Sequence, residues 1–169
     1  FFLFLGFGAG HYPLQARPED IAKYRGTYLK GWDQLREERF KRLKEMKLIP
    51  QNAQLSPPSS NINRFRGHPA GDDSIRAKIP LYRPWDSLTE KEKDELDLEM
   101  AVFAAMVDRM DQNIGRILKK LDDEGLTKNT VVIFLSDNGS CPYDSNRDFL
   151  FPPGDPRGFR TLSAAWANL

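Results

Sequence analysis

The sequence predicts an α/β protein built on a mainly parallel sheet. Three observations carry that prediction. Residues 1–7 (FFLFLGF) and 130–135 (TVVIFL) are short, unbroken runs of apolar or β-branched side chains. Each run ends abruptly, the first in Gly8-Ala9-Gly10 and the second in Ser136-Asp137-Asn138-Gly139. Helical periodicity fills much of the chain between them. A run without polar alternation is the pattern of a strand covered on both faces. Two such strands joined through helices imply a parallel pair with a crossover.

The elements follow in order. After the first strand, Arg17-Pro18-Glu19-Asp20 opens a short helix. Pro18 suits a first turn, and the two acids favour the positive end of the helix dipole. Gly26 stops it. A second helix is predicted from about Gly31 to Leu48. Trp32, Leu35, Phe40, Leu43 and Met46 mark its apolar side, and charges of both signs mark the other. Residues 50–84 carry Pro50, Pro57, Pro58, Pro69, Pro80 and Pro84 among Ser, Asn and Gly, the composition of a long loop excursion. Ser87 or Thr89 can cap the longest helix, with Glu90 and Glu92 in its first turn. Leu96, Met100, Phe103, Val107, Met110, Ile114, Ile117 and Leu121 form one stripe along it, suited to packing on a sheet. Asp108, Arg109, Asp111, Gln112 and Asn113 lie beside the stripe and are read as a structural network at the sheet edge. The helix ends near Gly125 and leads into the second strand.

Composition narrows the functional classes. The 169 residues carry a net charge of +1, so no general attraction to nucleic acid or to an anionic membrane is implied. Residues 1–7 are too short to span a bilayer and lack a basic flank. Cys141 is the single cysteine, which excludes an internal disulfide. The chain begins without Met inside an apolar run and ends without a closing element, so a piece of a longer protein is expected.

Candidate chemistry collects at the carboxyl ends of the two strands, where open α/β sheets place their sites. Asp137 offers a carboxylate and Asn138 a carbonyl oxygen, hard ligands suited to Ca²⁺ or Mg²⁺. Gly139 lets the backbone turn sharply there. The same tetrapeptide is also ordinary turn chemistry. His11 follows the first strand, where its imidazole can contact an anionic oxygen or carry a proton at neutral pH. A loop histidine bonded to a carbonyl is the competing reading. His68 and Asp72-Asp73, in the loop excursion, are read as solvated surface groups.

Four stretches together resemble the type I sulfatases, bacterial arylsulfatases in particular. They are Ala9-Gly10-His11-Tyr12-Pro13-Leu14-Gln15, Asp20-Ile21-Ala22-Lys23-Tyr24-Arg25-Gly26, Met106-Val107-Asp108-Arg109-Met110-Asp111-Gln112-Asn113-Ile114-Gly115 and Phe134-Leu135-Ser136-Asp137-Asn138-Gly139. They occur in the family's order. The resemblance implies an alkaline-phosphatase-like α/β/α sandwich, with residues 1–169 as a central part of the catalytic domain. It implies hydrolysis of small-molecule or glycan sulfate esters through a formylglycine made from Cys or Ser in a C/S-x-P-x-R motif. It implies a divalent cation, usually Ca²⁺ with Mg²⁺ as the alternative, held in part by Asp137 and Asn138. His11 matches the catalytic histidine that contacts the sulfate ester on the leaving-group side. A periplasmic or secreted location is implied by the family alone.

The sequence departs from the family in three places. Gly10 stands where the family has Pro before the histidine. No C/S-x-P-x-R motif occurs in the chain, and Cys141-Pro142-Tyr143-Asp144-Ser145 lacks its Pro and Arg positions, so Cys141 is rejected as the nucleophile. The family's other metal-binding aspartates and its sulfate-binding lysines have no counterparts. The chain alone is therefore expected to be inactive. A phosphodiesterase or phosphonate hydrolase of the same superfamily, or a non-catalytic anion-binding homologue, stands as the alternative.

Overall fold

The computed structural model describes residues 1–57, 83–139, 151–162 and 166–168. Its helices are α1 (Pro18–Ala22), α2 (Gly31–Glu45) and α3 (Glu90–Asp123), with short 3-10 turns at Trp85–Ser87, Thr127–Asn129 and Trp166–Asn168. His68, Asp72-Asp73, Cys141 and most of the 50–84 excursion lie outside the described residues.

α3 owes its limits to local chemistry. At its start the Thr89 hydroxyl accepts from the Glu92 backbone N–H, and the Glu92 carboxylate accepts from the Thr89 N–H at 2.8 Å. Such a capping box satisfies two donors that a helix start leaves open. At the other end Gly125 takes φ +66°. Its N–H reaches the Asp122 carbonyl and the Leu126 N–H reaches the Leu121 carbonyl, which closes the last turn as a Schellman motif.

The core lies against the first half of α3. Leu14, Trp32, Trp85, Leu88, Leu96, Val102, Leu162 and Trp166 form one buried cluster. Three indoles lock together inside it. Trp32 meets Trp85 at 4.9 Å and Trp166 at 5.3 Å, both edge to face, the arrangement that ring quadrupoles favour. Buried indole N–H groups need acceptors, and Trp32 donates to the Arg83 carbonyl while Trp85 donates to the Leu29 carbonyl. Gly31, at φ +81°, opens α2 beneath the Trp85 ring. A Cβ there would fall 2.1 Å from that ring, so no side chain fits. Farther along α3 the stripe thins. Ala101, Val102 and Ala105 are buried, whereas Val107 and Leu118 are exposed.

The sheet is where the structure differs from the sequence reading. No strand is formed among the described residues. Both apolar runs, expected to be buried, lie in solvent. Phe2 is 91% and Val131 is 86% exposed. Thr130 does take extended dihedrals. Extended dihedrals alone do not make a strand, because a strand also needs a ladder partner for its N–H and C=O groups. Neither run meets such a partner among the described residues. The core instead closes around the tryptophans, away from both runs. Among the described residues, no helix is long and apolar enough to cross a membrane.

Candidate functional site

The His11 loop is built from its two ends. On one side the His11 N–H donates to the Gly8 carbonyl at 3.2 Å. Gly10 takes φ +90°, a conformation disfavoured for other residues, and sits over the edge of Phe103 on α3. This departure from the family's Pro therefore serves the turn. On the other side Tyr12-Pro13 is a cis peptide, and Leu14 is sunk in the core. The Leu14 N–H donates to the Arg160 carbonyl at 2.9 Å. His11 itself is exposed, its ring 4.4 Å from that of Tyr12. Its Nδ1 lies 2.8 Å from the Tyr12 carbonyl oxygen. A carbonyl can only accept, so Nδ1 carries a hydrogen and Nε2 is the nitrogen left for a ligand.

Asp137 and Asn138 sit beyond the second apolar run, and both are exposed. The Asn138 amide nitrogen donates to the Gly139 carbonyl at 2.7 Å, and the Ser136 hydroxyl donates to the Asn138 carbonyl at 2.7 Å. With its nitrogen engaged, Asn138 presents Oδ1 as an acceptor. This donor set, a carboxylate and an amide oxygen, fits Ca²⁺ or Mg²⁺ in kind. It falls short in number, since Ca²⁺ takes roughly six to eight oxygens. Among the described residues no three His, Cys, Asp or Glu side chains converge as a metal site. No hydrogen bond or ring contact joins His11 to residues 136–139 within that set. The candidate site is present as two pieces.

A charge network that the sequence reading placed at a sheet edge ties α1 to α3 instead. Asp20, only 2% exposed, accepts from Arg109 Nε at 2.9 Å and from Lys23 Nζ at 2.8 Å. Lys23 also reaches Asp108 at 2.8 Å, and Gln112 donates to the same carboxylate. The Lys23 hydrogen bond holds the Asp20 carboxyl below its ordinary range, with help from Arg109 and against the effect of burial. Lys23 likewise lowers Asp108, and both acids raise Lys23. Each charge is answered within the network, so its role is to fix α1 and the loop that precedes it. Asp20 was legible as an acid in a helix's first turn and as part of a family-like stretch, but not as a buried ion-pair acceptor, because Arg109 lies far along the chain.

The segment after residue 150, read from the sequence as plain loop, is also held in place by specific bonds. Arg160 donates to the Phe151 carbonyl at 3.0 Å and pairs with Glu95 of α3 at 2.9 Å. Asp155 accepts from the guanidinium and then from the backbone N–H of Arg157, which hold its carboxyl down at about 2. The positive φ of Gly154 and its fit against Val102 seat the turn on α3. This segment presents the carbonyls to which the His11 loop is fastened.

Comparison with known proteins gives these pieces a context. The sequence profile of the Sulfatase family matches residues 1–159. The chain is 41% identical over 140 residues to an uncharacterised sulfatase of Schizosaccharomyces pombe, a match covering 83% of this chain and 22% of that protein. It is 31% identical over 153 residues to an arylsulfatase of Klebsiella aerogenes, covering 88% of this chain and 28% of that one. A shorter match, 45% over 56 residues, links it to the human N-sulphoglucosamine sulphohydrolase, covering 33% of this chain and 11% of that enzyme. The chain thus spans about a quarter of the length of the first two relatives. With the profile running through the His11 loop, both long helices and the Asp137-Asn138 turn, the chain belongs to the sulfatase family.

Proposed function

We propose that the protein containing this chain hydrolyses sulfate esters in the manner of an arylsulfatase, and that residues 1–169 form a central part of its catalytic domain. The observation that carries this reading is the family match across residues 1–159, which includes His11 and the Asp137-Asn138 pair. On this reading residues 1–7 and 130–135 are strands of an alkaline-phosphatase-like α/β/α sheet, and the remaining strands come from the rest of the protein. That would bring the two pieces of the site to one sheet end, as open α/β folds do.

The roles follow from the side chains. Asp137 and Asn138 Oδ1 would hold part of a divalent cation, preferentially Ca²⁺. When bound, such a cation polarises the sulfuryl oxygens as a Lewis acid. His11 keeps its Nδ1 hydrogen on the Tyr12 carbonyl, so Nε2 is the nitrogen left for the bridging ester oxygen; in the imidazolium form the Nε2–H would give its proton to the departing alcohol and leave the neutral Nδ1–H ring behind. The nucleophile, a formylglycine in the family's chemistry, lies outside these residues. The substrate class is a small-molecule or glycan sulfate ester.

The test is Asp137→Ala in the full-length protein, with Ca²⁺ binding followed by calorimetry and turnover by release of a nitrophenol from its sulfate ester. Both are expected to fall, turnover by at least about a hundredfold, the scale of losing an electrostatic group at a reacting centre. A wild-type protein that turns over phosphate diesters and not sulfates would replace this reading with a phosphodiesterase. A wild-type protein that binds sulfated ligands without turnover, unaffected by the substitution, would replace it with a binding protein.

A further inference from the structure

We infer that Gln15 is a positioning residue for His11, acting through the 151–160 segment; the inference rests on the proposed role of His11. The loop from Gly8 to Arg17 has one exposed functional side chain, and its rigidity depends on what fastens it. Among the described residues, two on the side after His11 hydrogen-bond to the 151–160 segment. One is Leu14, buried and bonded through its N–H to the Arg160 carbonyl. The other is Gln15, whose Nε2 donates to the Pro156 carbonyl at 3.1 Å and to the Gly158 carbonyl at 3.2 Å. A primary amide has two N–H donors, so both are used. The two acceptors flank Arg157, in a turn that the Asp155–Arg157 pair and the Gly158 N–H to Asp155 carbonyl bond hold shut.

The geometry sorts these attachments by function. Leu14 sets the depth of the loop by burial, which is non-directional. Gln15 sets its direction, because two hydrogen bonds to neighbouring carbonyls restrict how the backbone from Leu14 to Ala16 can turn. Only Tyr12, Pro13 and Leu14 separate Gln15 from His11, and the Pro13 ring fixes one of the few torsions between them. Asp155, Arg157 and Gln15 therefore act as one clamp on the histidine, although none of them has a place in the proposed chemistry.

The experiment compares Gln15→Met with His11→Ala in the full-length enzyme. Met keeps the length of the side chain and removes both donors. The readout is kcat/KM for two aryl sulfates, one with a good leaving group (a nitrophenol) and one with a poor one (an unsubstituted phenol), beside the melting temperature. A displaced proton donor hurts the poor leaving group most, whereas a loss of folded enzyme lowers both rates equally. The expected result for Gln15→Met is a loss of roughly tenfold on the poor leaving group and much less on the good one, with the same tilt, larger, in His11→Ala. Equal rates for Gln15→Met and wild type, or equal losses on both substrates, would overturn the positioning role while leaving His11 in place. A His11→Ala variant without the tilt would overturn the His11 reading itself, and the clamp with it. If Gln15→Met does not fold, Gln15→Asn, which is too short to reach both carbonyls, replaces it; failure of both to fold would show Gln15 to be structural only.

Discussion

Asp97 shows what one buried carboxylate does in this chain. It is 1% exposed and accepts from the Gly26 N–H at 2.9 Å, the Tyr28 N–H at 3.0 Å and the Arg25 guanidinium. Two backbone donors in the turn between α1 and α2 are answered by this one side chain, so Asp97 replaces a ladder or helix bond for both. Asp97→Ala should therefore cost on the order of 3 kcal/mol, since hydrogen bonds to a charged group contribute roughly 1.5–3 kcal/mol. Denaturant unfolding of the variant checks it, with a fall in the midpoint and no change in slope. Nothing in the sequence distinguished Asp97. It stands in an acidic helical run, beside Asp94 and Glu95, where each acid reads as solvated. Its burial comes from a distant turn folding onto it, and a local pattern cannot report that. His11, Asp137 and Asn138 became candidates for the opposite reason. Their signal is local: a polar, ligand-capable residue directly past an apolar run.

At the scale of elements, α3 was the most readable part of the chain because its start, stripe and stop are all encoded within it. The cap is Thr89, and Thr89→Ala should destabilise the fold by about 1 kcal/mol, read as a lower melting temperature by circular dichroism. Glu92 adds a pH dependence of known sign. The Thr89 N–H above all, then Arg83 and the Thr89 hydroxyl, hold its carboxyl at about 2, below its ordinary 4.5. A carboxyl lowered on folding stabilises the native state fully above its unfolded value, and that contribution fades as pH falls through the folded one. Stability should therefore drop between pH 4.5 and about 2, and Glu92→Gln should flatten that part of the profile. Asp155 titrates in the same direction, so the 151–160 clamp weakens in the same acid range. The apolar runs were legible as strand sequences but not as strands. Dihedral preference and hydrophobicity belong to the run, whereas the ladder belongs to its neighbours.

At the scale of the whole molecule, the chain pairs a finished core with an unfinished one. The three-tryptophan cluster and the first half of α3 are closed, while residues 1–7 and 130–135 and the later turns of α3 present apolar surface to water. Contiguous apolar surface of this kind marks an interaction face, and unpaired extended segments invite pairing with other chains. A net charge of +1 offers little repulsion against it. The isolated chain should therefore self-associate in sedimentation experiments and bind a hydrophobic dye. Ile133→Lys tests whether the exposed run has a buried destination in the full-length protein. Ile133 is 73% exposed here, so in the isolated chain the lysine meets water and should reduce self-association without loss of helix. In the full-length protein, if residues 130–135 enter the proposed sheet, the same lysine is an unpaired charge in an apolar layer and should cost roughly 3 kcal/mol or more. A substitution that relieves association in the piece and unfolds the whole would place this run inside the sheet. If the full-length protein tolerates it with an unchanged melting temperature, the run stays at the surface there too, and the proposed convergence of Asp137 and Asn138 with His11 loses its sheet.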